Sequence, residues 1–166
     1  MKEDKVPEGF TLAMALLDAV PVVFFCFSVL VCASVLKDQL FLIGSVLVIT
    51  AGLLKVCWKF VIAVSRKNIM FLNRQMRYLM PLGFVLIIVS LCRITDKVSL
   101  VAFTHAMTGS HAWIFFFLGL IGIGFMVYFA KHNDQMDARS NWKEQFTNAL
   151  SQLAFLIGFL LCRTLL

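Results

Sequence analysis

"TLAMALLDAVPVVFFCFSVLVCASVLKDQLFLIGSVLVITAGLLKVCWKFVIAV", residues 11–64, is two long apolar runs joined by three polar residues. Each run exceeds the roughly 20 residues an α-helix needs to cross a bilayer's hydrocarbon core. The apolar residues are continuous rather than alternating, which reads as helix and not as barrel strand. In lipid, a helix satisfies its backbone polar groups within one segment. The "KDQ" connection then makes the two helices antiparallel neighbours.

The rest of the chain follows the same rule. Of 166 residues, 61% are hydrophobic and 14% charged, with mean hydropathy +0.91. A soluble domain carries about a quarter charged residues, so the bilayer is the expected solvent. Five segments are long enough to span: about Thr11–Leu36, Leu40–Val64, Tyr78–Ile94, Ala112–Ala130 and Phe146–Leu166. The predicted fold is an all-α integral membrane protein, a five-span bundle forming one polytopic domain over residues 1–166. "VSLVAFTHAM", residues 98–107, is too short to span and is expected to be interfacial or re-entrant. The first apolar run is too long for the roughly 7–15 residues of a signal-peptide core, so the first helix is expected to remain in the mature protein.

Orientation follows from the basic residues. With the N-terminus cytoplasmic, that side holds Lys2, Lys5, Arg66, Lys67, Arg74, Arg77, Lys131, Arg139 and Lys143. The outer side holds Lys37, Arg93, Lys97 and Arg163. Nine against four favours N-in and C-out. The same bias explains the net charge of +6, and no nucleic-acid partner is expected. A multi-pass location in a bacterial-type plasma membrane or an organellar membrane is the expectation.

Lys55 and Lys59 interrupt the second span four residues apart, on one helix face. They lie about 15 and 9 Å from its inner end at 1.5 Å per residue. The same stripe carries Gly44, Val48, Ala51, Gly52 and Ala63, four of the five glycine or alanine, the kind of residue that lets membrane helices approach closely. Asp18, about 12 Å into the first span, falls at the level of both lysines. Pro21 removes the donor to the Leu17 carbonyl and is expected to kink the helix beside the acid. One reading joins Asp18 to Lys55 and Lys59 in a polar site, with Lys55 the stronger candidate. The other lets the lysines snorkel, with Trp58 beside Lys59 at the interface.

Arg66, Lys67, Arg74 and Arg77 form an acid-free stretch between the second and third spans. Anionic lipid headgroups are their expected partners, and Arg77, next to the third span, is a candidate to turn towards Asp18. Asn148 and Gln152, one turn apart in the fifth span, are candidates to extend the cluster. His132, Asp134 and Asp137 fall in "KHNDQMDARSNWKEQ", residues 131–145, which reads as a solvated loop rather than a metal site. Cys26, Cys32, Cys57, Cys92 and Cys162 lie in apolar runs without a C-x-x-C pair, so packing is their expected role. No metal or cofactor is expected.

No Ser–His–Asp set, H-E-x-x-H or phosphate loop occurs, so the chain leans away from an enzyme. The leading expectation is a transporter or channel component for a small polar or anionic solute, or a proton. The alternatives are a non-catalytic assembly, regulatory or lipid-binding subunit, and an enzyme acting on lipid headgroups. Five helices are a small body for a complete transporter, which suggests a homo-oligomer or a larger membrane partner.

Overall fold

The computed structural model describes residue 9 and residues 11–94, 100–133 and 137–163. Among them are seven helices and no strand: α1 (Leu12–Leu36), α2 (Gln39–Ser65), α3 (Met70–Arg74), α4 (Met76–Ile94), α5 (Leu100–Gly109), α6 (Ala112–His132) and α7 (Ala138–Arg163). Five helical stretches are long and apolar enough to cross a membrane: α1, α2, α3–α4 taken together, α6 and α7.

The first two helices form the expected antiparallel hairpin. Thr11 caps α1, its hydroxyl accepting from Met14 N at 3.3 Å. Lys37 ends the helix in the left-handed region (φ 48°), and its N–H donates to Ala33 O. Asp38 immediately caps α2, accepting from Phe41 N at 2.9 Å and from Ser90 Oγ of α4 at 2.7 Å. One carboxylate therefore starts α2 and ties it to the end of α4. Those two bonds, the Ser90 bond foremost, hold the Asp38 carboxyl below the usual carboxylate range.

The main helix contacts run in the row α4–α2–α1–α7–α6, with α5 against α6 and α7. The expected stripe of small residues on α2 is divided between two neighbours. A Cβ on Gly44 would lie 2.7 Å from Gly83 O, and one on Gly83 would lie 2.7 Å from Gly44 O. Glycine at both positions thus brings the α2 and α4 backbones together, as small residues do in membrane bundles. Gly52, rotated further round α2, meets Val22 of α1 instead. At the α6–α7 crossing, a Cβ on Gly122 would collide with Ser151, and Gly119 faces the ring of Phe155.

Two boundaries differ from expectation. The third spanning stretch begins at Met70, eight residues before Tyr78, and is broken at Gln75. Gln75 is buried and its Nε2 donates to Leu72 O at 2.9 Å and to Ala51 O of α2 at 3.2 Å, so the break is anchored to the neighbouring helix. The fifth begins at Ala138, not Phe146, because Asp137 caps it. Its Oδ2 accepts from Ser140 N at 2.8 Å, and Ser140 holds its carboxyl below the usual range. Residues 138–145 are thus helix rather than loop. Of the short segment expected at residues 98–107, residues 98–99 lie outside the described residues and the rest belongs to α5, about 15 Å long. Its Ala106 is buried with Ala112 and Cys162. No disulfide links the cysteines.

Large apolar side chains cover much of the surface, and several polar ones are buried beside the apolar core. Leu30, Val46, Phe84, Ile88, Phe117, Leu120 and Phe125 are exposed, while Asp18, Ser45, Lys59, Ser90, Glu144, Gln145 and Ser151 are buried. Large apolar side chains outside and polar ones inside are what a lipid solvent favours.

Candidate functional site

Asp18 lies on the face of α1 turned inward, one turn beyond buried Met14 and one before buried Pro21. The helix runs unbroken through Pro21, whose ring removes the donor for the Leu17 carbonyl. Across the hairpin, Lys59 Nζ of α2 reaches Asp18 Oδ1 at 3.1 Å. The two side chains are 1% and 5% exposed. Lys59 is therefore turned into the bundle and not outward.

The pair is Asp18–Lys59, and Lys55 is half-buried beside it. Helical phase explains the choice. At 100° per residue, Lys59 is turned about 40° beyond Lys55, towards the Gly52 side that meets α1. Lys55 points between the α1 and α4 faces of its helix. It stays near enough to influence Lys59 electrostatically, as a like charge.

The third member comes from α7. Glu144 is buried and interacts electrostatically with Lys55, Lys59 and Asp18, while the Asn133 side chain at the end of α6 hydrogen-bonds its carboxylate. Gln145, on the same turn, is 1% exposed. Because α1 sits between α2 and α7, the cluster gathers two acids and two bases from three helices.

An apolar layer lies between this cluster and the N-terminal end of α1. Met14, Trp58 and Ile62 form one buried group, with Leu72 and Ala138 against it. Trp58 Nε1 also donates to Asn68 Oδ1 at 2.9 Å, tying the layer to the connection after α2.

The remaining sequence candidates are placed as follows. Asn148 and Gln152 are half-buried on α7, beyond Glu144 and Gln145. Arg77 is exposed at the start of α4, as are Arg66, Lys67 and Arg74 before it; α4 packs on α2, not on α1. His132 stacks on Tyr128 with centroids 4.3 Å apart, Asp137 serves as a cap, and Asp134 lies outside the described residues.

Glu144 and Gln145 are the two site residues that reading the sequence missed, since both precede the expected start of the fifth span. A signal was present: Glu144, Asn148 and Gln152 recur every four residues and mark one polar stripe. Comparison with family models, with curated proteins and with solved structures yields no match.

Proposed function

We propose that this chain is a multi-pass membrane protein, N-terminus cytoplasmic, and a transporter or channel component whose Asp18–Lys59–Glu144 cluster receives a small polar solute or a proton. One observation carries this reading: the cluster is charged and buried, yet its hydrogen bonding is incomplete. Asp18 Oδ2, Glu144 Oε1 and Gln145 Oε1 each lack a hydrogen-bond partner, and the Lys59 ammonium has Asp18 Oδ1 alone, at 3.1 Å. A buried ion pair offsets its desolvation only when its remaining lone pairs and protons are also satisfied. A purely structural pair between helices would be selected for completeness. A site that takes up and releases a polar species is completed by its occupant.

The apolar layer of Met14, Trp58 and Ile62 fits this role as the closed side of the site, facing the proposed cytoplasmic end. The test is uptake or proton flux in proteoliposomes, comparing the parent with Lys59→Met, Asp18→Asn and Lys55→Met. Flux abolished by the first two and largely kept by the third supports the proposal. Flux indifferent to Lys59→Met and Asp18→Asn contradicts it.

A second reading, a non-catalytic subunit of a larger membrane assembly, is favoured by the open row of helices. The outer members α4 and α6 each pack along one side and expose much of the other. Co-purification with one partner in stoichiometric amount, unaffected by Lys59→Met, would support that reading over transport.

A further inference from the structure

The chemistry of the incomplete cluster narrows its occupant. This step rests on the proposed solute site. The three unpartnered atoms, Asp18 Oδ2, Glu144 Oε1 and Gln145 Oε1, are oxygens. An ionised carboxylate only accepts, and an amide oxygen likewise. The nearby donor, Lys59 Nζ, already lies 3.1 Å from Asp18 Oδ1. What the site lacks is donors arriving from outside.

Charge points the same way. Among the described residues the one ion pair is Asp18–Lys59, which leaves Glu144 without a contacting counter-charge. Lys55 is the foremost charge acting on Glu144, but it is half-buried and acts from beyond contact distance. The two acids and two bases of the cluster balance, and an entering anion would add only further acceptors to oxygens that already lack donors. A cation bearing N–H groups would supply a counter-charge at contact distance from Glu144 and the donors that the three oxygens lack.

We infer that the cluster binds a small primary ammonium group, with Glu144 as its counter-charge and Asp18 Oδ2 and Gln145 Oε1 as further acceptors. Lys59 holds Asp18 in place and repels a second cation, which sets an occupancy of one. The requirement for N–H groups separates this ligand from a quaternary ammonium of similar charge.

The experiment is thermal unfolding of the full-length protein in mild detergent at constant ionic strength, titrated with methylammonium chloride, tetramethylammonium chloride, sodium acetate or sodium phosphate. Methylammonium is expected to raise the melting temperature saturably, and the other three are not. Glu144→Gln abolishes the shift. Gln145→Met keeps the native charge and weakens the apparent affinity about tenfold, the effect of losing one hydrogen bond to a charged group. Equal stabilisation by tetramethylammonium overturns the donor requirement. Stabilisation by acetate or phosphate without methylammonium overturns the cation assignment and leaves the solute site standing. No shift with any of the four, together with flux unaffected by Lys59→Met, overturns both.

Discussion

Asp18 and Lys59 meet at 3.1 Å between α1 and α2, and both side chains are almost wholly buried. Lys55, one turn away on the same helix, is half-buried and makes no such contact among the described residues. The two lysines therefore differ in consequence. Breaking a buried pair by removing one partner strands a buried charge and costs about 3–5 kcal/mol. Lys59→Met is expected to destabilise by that order in denaturant unfolding from detergent micelles, and Lys55→Met by less than about 1 kcal/mol. Equal effects would mean that the pairing is not selective.

Close approach of α2 and α4 depends on two glycines that face each other. Gly83→Ala places a methyl 2.7 Å from Gly44 O and from a methyl of Val48, and should destabilise by about 1–3 kcal/mol as overpacking does. A Cβ added at Gly124 would meet nothing within 4 Å, so Gly124→Ala is expected to be neutral or to stabilise by up to about 1 kcal/mol through helix propensity. Thermal unfolding of the two variants side by side distinguishes a packing glycine from a permissive one.

Asp38 adds a pH dependence at the opposite end of the hairpin from the cluster. The Ser90 hydroxyl, the Phe41 N–H and the charge of Arg93 favour its ionised form, so its folded pKa is depressed. Its contribution is therefore fully present above the unfolded value of about 3.9 and is lost as pH falls through the lower folded value. Ser90→Ala should reduce stability near neutral pH and flatten its decline below about pH 4. An unchanged acid limb in Ser90→Ala would show that Asp38 does not carry this linkage.

The helices were legible because each is a long apolar run, and the α1–α2 hairpin because its connection is so short. Asp18 and the lysines were legible as charges in such runs, and their common depth followed from counting residues. What hydropathy hides is the polar end of a span. Residues 138–145 read as loop because Arg139, Asn141, Lys143, Glu144 and Gln145 are polar. The Asp137 cap and the four-residue recurrence from Glu144 to Gln152 were the competing signals. Depth also misled the choice between the lysines. Lys55 is deeper, but rotation about the helix axis decides which ammonium faces Asp18, and no residue count shows where α1 lies around α2. Gln75 eluded the sequence because its role depends on the Ala51 carbonyl of another helix.

The most direct measurement is a double-mutant cycle on unfolding free energy in mild detergent, using Asp18→Asn, Lys59→Met and both together. The cycle isolates the pairwise term when the single changes create no new contacts. A coupling energy of about 1 kcal/mol or more, with none for the matching Asp18–Lys55 cycle, is the predicted result for a buried charged site organised on Asp18 and Lys59. Additive effects in the Asp18–Lys59 cycle would contradict it.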